Sequence, residues 1–176
     1  SLGATFHYDS KSAFFEARAE NGLKGTYMLL DEASVTGTAN IVMAACLAEG
    51  KTTIYNAACE PYLQQLCKML NRMGAKISGV GSNLITVDGV KELKGTEHRI
   101  LPDMIEIGSF IGLAAITKSE INIKNVAYDE LGVIPSVFAK LGIKMERRGD
   151  DIFIPSQDSY EIQSFIDSRP LFQGLK

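Results

Sequence analysis

The apolar and polar positions of the chain follow one order of elements twice. In the first copy the pattern predicts β-α-β-α-β-β, at residues 27–30, 34–47, 52–55, 61–73, 76–78 and 84–87. Leu63, Cys67 and Leu70 show the helical spacing clearly, because they recur at intervals of four and three residues. The short strands are bounded by glycine-containing turns, as is typical of hairpins.

A second copy of the pattern follows in the same order. It predicts a strand near 98–101, a helix at 107–117, a strand at 121–124, a helix at 135–141, and strands at 143–146 and 152–154. The second helix of each copy ends at a glycine, Gly74 in the first and Gly142 in the second. Gly3 is the matching glycine near the start of residues 1–19, which have the pattern of the final hairpin. The intervals are 71 and 68 residues, too long for a solenoid repeat. We therefore expect two repeated α/β (α+β) units preceded by the last hairpin of a third, so that the chain begins inside a repeat and is a piece of something longer.

Composition and charge exclude several classes of function. The chain has 176 residues, of which 45% are hydrophobic and 22% charged, and this is ordinary for a globular protein. A net charge of −3 and a pI near 5.4 argue against a nucleic-acid partner. No apolar run approaches the roughly 18 residues of a membrane span, so we expect no membrane partner. The three cysteines (Cys46, Cys59 and Cys67) lack metal or disulfide spacing and are interpreted as reduced thiols.

The start of the first predicted helix is the strongest candidate for chemistry. Ser34, Thr36 and Thr38 surround Gly37 there. Free backbone N–H groups, hydroxyls and the positive end of a helix favour a phosphate or diphosphate. Ordinary N-capping by Ser34 explains the same residues, and both interpretations stay open.

Three acids occupy comparable helix starts. Asp103 and Glu106 lie at the first helix of the second copy, and Glu60 precedes Pro61 at the second helix of the first copy. Asp103 and Glu106 can act as caps and as partners of the helix dipole, and Glu60 as a first-turn acid. The alternative is that these carboxylates face a cleft as acid or base groups. No arrangement of serine or cysteine with histidine makes a complete catalytic site.

The same segments resemble a known family. The residues "LKGTYMLLDEASVTGTANIVMAACLAEGKTTIYNAACEPYLQQLCKMLNRMGAKISG" and "ILPDMIEIGSFIGLAAI" resemble the enolpyruvyl transferases, and within them the UDP-N-acetylglucosamine 1-carboxyvinyltransferases. The resemblance covers about residues 1–157. It implies an inside-out α/β barrel of two domains, each with three β-α-β-α-β-β units. Residues 1–22 would then end an earlier unit, 23–98 would close the first domain, 99–157 would open the second, and 158–176 would be a tail of uncertain origin.

The resemblance also implies a function. A full-length enzyme of this kind is cytoplasmic, moves the enolpyruvyl group of phosphoenolpyruvate to the 3-hydroxyl of UDP-N-acetylglucosamine in peptidoglycan synthesis, and needs no cofactor or metal. The residues that would contact the uridine diphosphate are Glu32, Ala33, Ser34, Val35 and Thr36. Glu60 and Asp103 match acids that line the family's cleft, and no residue of this chain matches the catalytic cysteine.

Three residues differ from those usual in the family, and they leave other functions open. Glu32 stands where the family usually has lysine, and Cys59 and Met104 stand where it commonly has arginine. These changes favour a non-catalytic binding homologue as the second hypothesis. A 3-phosphoshikimate 1-carboxyvinyltransferase and an unrelated interaction domain are further alternatives. We expect the 176-residue chain itself to be inactive and to self-associate.

Overall fold

The structure is a computed structural model that describes residues 2–163. The chain divides after Ile100 into two compact units, and the following paragraphs take each unit by itself. The α+β class predicted from the repeat is confirmed, because both units combine helices with short mixed or antiparallel sheets. The finer division at 22, 98 and 157 stays a prediction.

The first unit is a four-stranded sheet packed against two helices, with a separate hairpin before it. Its elements are β1 (Thr5–Asp9), β2 (Phe14–Arg18), β3 (Tyr27–Leu29), α1 (Val35–Ala45), β4 (Lys51–Tyr55), α2 (Pro61–Arg72), β5 (Lys76–Ser78) and β6 (Leu84–Asp88). The strand order is β3-β4-β6-β5, with β3 and β4 parallel and the other pairs antiparallel. Ile54, Ile85 and Val87 point from the central strands into the core, where they meet Val42 of α1 and Leu63 of α2.

The hairpin of β1 and β2 presents an unburied aromatic face. The two strands pair only with each other within the described residues. Phe6 and Phe15 are 70% and 61% exposed, and Tyr8 stacks on Phe15 with ring centroids 4.5 Å apart. The predicted hairpin is confirmed, and its membership of an earlier repeat stays a prediction.

The second unit is a three-stranded antiparallel sheet covered by two helices. Its elements are α3 (Met104–Thr117), β7 (Ile121–Ile123), a 3₁₀ turn (Tyr128–Glu130), α4 (Ile134–Lys140), β8 (Glu146–Arg148) and β9 (Asp151–Ile154). The strand order is β7-β9-β8. Ile111, Ile152 and Ile154 are fully or almost fully buried in its core.

Two strand predictions were wrong in the second copy. Residues 98–101 form no strand, since the carbonyl of Arg99 accepts a hydrogen bond from the Gln65 side chain (3.2 Å) rather than joining a ladder. The strand predicted at 143–146 begins only at Glu146, because the backbone of Ile143 takes part in the C-terminal hydrogen bonding of α4. The Ile143 N–H donates to the carbonyl of Phe138, and its side chain is buried.

The start of α3 was also predicted too late. The helix begins at Met104 rather than at residue 107, because the Asp103 carboxylate caps it. In the repeat register set by Gly37 and Gly108, α3 begins two residues earlier than α1. The choice of capping residue therefore decides where each helix starts.

The predicted tail is described only in part. Tyr160 packs against the second core, and its hydroxyl donates to the carbonyl of Ala115 at 2.8 Å. Residues 164–176 of the predicted segment, which include 168–176, lie outside the described residues. No helix in the described part of the chain has the length and apolar character needed to cross a membrane.

Candidate functional site

The N-terminus of α1 is built around the Ser34 side chain. Ser34 has an extended backbone, with φ −73° and ψ 124°, and its Oγ accepts a hydrogen bond from the Gly37 N–H at 3.1 Å. A Cβ on Gly37 would lie only 3.1 Å from that Oγ, so glycine leaves room for the close turn. Val35 and Thr36 occupy the first two helical positions, where an α-helix offers their N–H groups no internal acceptor. The capping interpretation of Ser34 is thus confirmed, and these two N–H groups leave the anion interpretation open.

The charges around this turn agree only partly with an anion site. No acid lies in the first turn of α1, so the positive end of the helix is not neutralised there. Asp31 and Glu32 precede the turn and are exposed. Thr36 is exposed on the first turn, as a ligand contact requires. The Glu32 carboxylate therefore remains the one feature of segment 32–36 that opposes a diphosphate.

The sequence had placed Thr38 among the anion-binding hydroxyls, and the structure shows that it does not belong with them. It is fully buried, its hydroxyl donates to the Ser34 carbonyl at 2.6 Å, and its Oγ1 accepts from the Ala58 N–H at 3.1 Å. The available signal was periodicity, because Thr38 shares the apolar face of α1 with Val42 and Ala45. A hydroxyl in this position is out of reach of a ligand.

The loop from residue 56 to residue 60 is held at three successive residues. The Asn56 side chain donates to the carbonyl of Leu30 at 3.0 Å, and Asn56 has a φ of 60°. The Ala57 N–H donates to the carbonyl of Asn83 at 2.9 Å. The third bond is the one from Ala58 to Thr38. The loop that leads to α2 is therefore tied to the end of β3, to the β5–β6 turn and to α1.

Glu60 ends this loop, and its side chain does not cap α2. Its carbonyl accepts from the N–H groups of Leu63 and Gln64, whereas its carboxylate makes no capping hydrogen bond. One carboxylate oxygen, Oε2, is buried and has no hydrogen-bond partner within residues 2–163. A buried polar atom without a partner calls for an explanation. Glu60 therefore stands at the N-cap position without capping α2 through its side chain, and a role in a cleft stays a prediction.

Asp103 performs the capping role that Glu60 lacks. Its Oδ1 accepts from the N–H groups of Ile105 (2.8 Å) and Glu106 (3.3 Å). Asp103 and Glu106 line an open groove of about 530 Å³ along α3, together with Phe110 and Leu113. The capping interpretation of Asp103 is confirmed, and its role in catalysis stays a prediction.

The cysteines lie in two different environments. Cys46 and Cys67 are buried in the first core, and Cys59 is exposed beside Glu60. Burial, together with the neighbouring Cys46, raises the pKa of Cys67 to about 11, and burial raises the pKa of Cys46. These two thiols therefore stay protonated near neutral pH and are poor nucleophiles. Within residues 2–163, His, Cys, Asp and Glu side chains form no group of three able to hold a metal ion.

Comparison with known proteins gives a consistent family. Residues 1–167 match the family model described as EPSP synthase (3-phosphoshikimate 1-carboxyvinyltransferase). A UDP-N-acetylglucosamine 1-carboxyvinyltransferase of Bacteroides fragilis is 72% identical over 166 residues, which are 94% of this chain and 38% of that protein. Proteins of the same name from Porphyromonas gingivalis and Treponema denticola are 64% and 50% identical, over 94% and 92% of the chain. The chain thus spans less than two fifths of the length of these relatives.

Solved structures agree on the fold. The enolpyruvyl transferase NikO of Streptomyces tendae aligns with a TM-score of 0.76 over 96% of this chain and 45% of its own, at 15% identity. An EPSP synthase of Acinetobacter baumannii aligns with a TM-score of 0.64 over 91% of this chain and 38% of its own, at 22% identity. At such identities the likeness concerns the fold alone, and it supports the repeated α+β architecture.

Proposed function

The chain belongs to the EPSP synthase family, and on that premise we propose that the whole protein transfers the enolpyruvyl group of phosphoenolpyruvate to the 3-hydroxyl of UDP-N-acetylglucosamine. The observation that carries the proposal is the 72% identity over 166 residues to a relative named for this reaction. The transfer would proceed by addition to phosphoenolpyruvate and elimination of phosphate. It would serve peptidoglycan synthesis in the cytoplasm, without a metal or an organic cofactor.

This chain would supply the turn that receives the diphosphate of the sugar nucleotide. The proposed contacts are Glu32, Ala33, Ser34, Val35 and Thr36. The uncapped N–H groups of Val35 and Thr36 would donate to phosphate oxygens, and the positive end of α1 would favour their charge. Glu32 has no attractive contact to offer a diphosphate. Its aliphatic part and backbone are what it would contribute.

The two candidate acids would act differently. Glu60 has a buried carboxylate oxygen free to accept a hydrogen bond, so a substrate hydroxyl or an ordered water would satisfy it. Asp103 already uses Oδ1 for two backbone N–H groups, which leaves Oδ2 to face a ligand. We assign neither a proton-transfer step. The groups that bind phosphoenolpyruvate and move protons would lie in the parts of the relatives that this chain does not span.

The test is phosphate release by the full-length protein. Purified protein is given phosphoenolpyruvate with either UDP-N-acetylglucosamine or shikimate 3-phosphate, and phosphate is measured over time. We expect release only with the sugar nucleotide. The 176-residue chain alone, run in parallel, should give no release above background.

Two other functions have specific observations in their favour. The description of the family model favours shikimate 3-phosphate as the acceptor, and release with that acceptor alone would establish it. Glu32, Cys59 and Met104, where the family has basic residues, favour a non-catalytic homologue. Silence with both acceptors from a folded protein would favour that second alternative and refute the proposed transfer.

A further inference from the structure

One buried hydroxyl links the turn at Ser34 to the loop from residue 56 to residue 60 in the first unit. Thr38 is fully buried. The Ala58 N–H can only donate, so the Thr38 oxygen must accept in the 3.1 Å bond between them. The hydroxyl proton is then left for the Ser34 carbonyl, 2.6 Å away. The roles in both bonds are therefore fixed. The Thr38 hydroxyl is the acceptor towards Ala58 and the donor towards Ser34.

The two partners of Thr38 belong to the segments that the proposed function uses. Ser34 caps α1 and lies in the centre of the turn 32–36, and its carbonyl also accepts the first helical bond from the Thr38 N–H at 2.9 Å. Ala58 lies two residues before Glu60, across 20 residues of sequence from Thr38. Moving either segment relative to the other would break one of the two bonds.

The other threonine and serine in comparable places do not make this link. Thr52 is also fully buried in the first unit, yet its Oγ1 has no hydrogen-bond partner within the described residues. Ser109, which occupies the position of Thr38 in the second repeat, is exposed and donates to the Ile105 carbonyl at 2.9 Å. Among residues 2–163, Thr38 is thus the fully buried hydroxyl that bridges two segments, and Thr52 provides a natural control.

We propose that Thr38 is a positioning residue that holds the sugar-nucleotide turn at Ser34 in register with the loop carrying Glu60. The inference rests on the proposed function for the identity of the ligand, while the link itself is a property of the first unit. The hydroxyl does not touch substrate. It sets the distance between the diphosphate contacts and the Glu60 carboxylate, and so it governs the binding of a substrate that spans both.

Thr38→Val tests the link in the full-length protein, because valine keeps the shape and removes both bonds. Thr52→Val is the matched control, since it makes the same change in the same core at an oxygen without a partner. Thr38→Ser restores the hydroxyl. We expect Thr38→Val to raise KM for UDP-N-acetylglucosamine about tenfold, with KM for phosphoenolpyruvate changed less than twofold. Thr52→Val and Thr38→Ser should each leave both KM values within about twofold of the parent.

Amide hydrogen exchange gives a second readout that does not depend on turnover. In Thr38→Val, the amides of Ala58 and Gly37 should exchange about tenfold faster, whereas that of Val87 in the core should not change. If Thr38→Val does not fold, Thr38→Cys replaces it, since a thiol is a weak acceptor, and smaller changes in the same direction are expected. Equal effects of Thr38→Val and Thr52→Val on KM would overturn the proposal. If the parent protein is silent with the sugar nucleotide, the proposed function has failed, and unchanged exchange at Ala58 and Gly37 would then overturn the link by itself.

Discussion

Replacing Ser34 separates helix capping from anion binding, because two substitutions should affect stability and affinity in different orders. Ser34→Ala removes the hydrogen bond from the Gly37 N–H, 3.1 Å from Oγ. Loss of an N-cap costs about 1 kcal/mol of unfolding free energy. Ser34→Asp keeps an acceptor for the same N–H, now a carboxylate oxygen, and aspartate caps helices as well as serine does. Its unfolding free energy should stay within about 0.5 kcal/mol of the parent.

Affinity for UDP-N-acetylglucosamine should follow the opposite order. A carboxylate at residue 34 would stand beside the diphosphate, and each pair of like charges about 4 Å apart costs roughly 1 kcal/mol in a watery environment. Two phosphate charges then give about 2 kcal/mol, or roughly a thirtyfold higher Kd. Ser34→Ala removes one hydroxyl donor without adding charge, and Kd should rise only about fivefold.

Calorimetric titration of the full-length protein at fixed ionic strength measures Kd, and urea unfolding measures stability. Ser136→Asp is the charge control, since it adds the same charge to an exposed position in the first turn of α4. It should leave Kd unchanged. Binding by Ser34→Asp as tight as that of the parent would refute the anion site, and Ser34 would then be a helix cap alone.

Three further predictions concern the 176-residue chain. A thiol whose pKa is raised on folding stabilises the protein below its unfolded pKa and loses that contribution as the pH rises, so stability should fall between pH 9 and pH 11 as Cys67 titrates. In urea unfolding, the stability of Cys67→Ala should fall less steeply over this pH range. A thiol reagent at pH 8 should label Cys59 alone, and labelling of Cys46 or Cys67 in the folded protein would contradict this. Gly89→Ala should destabilise the chain by about 2 kcal/mol or more, because its Cβ would lie 1.6 Å from the Ala48 carbonyl oxygen. By contrast, Gly112→Ala inside α3 meets nothing within 4 Å and should stabilise by about 0.5–1 kcal/mol; equal unfolding midpoints would show that the close approach is relieved at no cost. Phe15→Ser should reduce self-association in light scattering, since the Phe15 ring is 61% exposed, and unchanged association would place the contact elsewhere.

Local sequence was sufficient for most elements of both units. The helical spacing of Leu63, Cys67 and Leu70 predicted α2 with Pro61 at its start, and the structure has that helix. Capping by Ser34 was one of the two interpretations that the sequence allowed, because capping depends on a residue and the next three positions, and the hydrogen bond to Gly37 is there. The resemblance to the enolpyruvyl transferases was also carried by contiguous segments, which is why the comparisons with known proteins confirm it.

The two strand predictions that failed did so for different reasons, one involving a partner distant in the chain and one a local helix end. The strand expected at 98–101 failed because a strand exists only where a neighbouring backbone completes its ladder, and Arg99 bonds to Gln65 instead. The predicted strand at 143–146 began late because Ile143 was needed to end α4.

The sequence alone thus predicted most of the elements and their order, because the pattern of each element depends on residues within one or two turns of each other. Only the tertiary structure decided what Thr38 does. Its hydroxyl reads as one of three polar groups at a helix start, and it becomes a buried bridge because the loop before Glu60 returns across 20 residues to donate to it. A hydrogen bond of that range depends on how the sheet and helices pack, which no local pattern records.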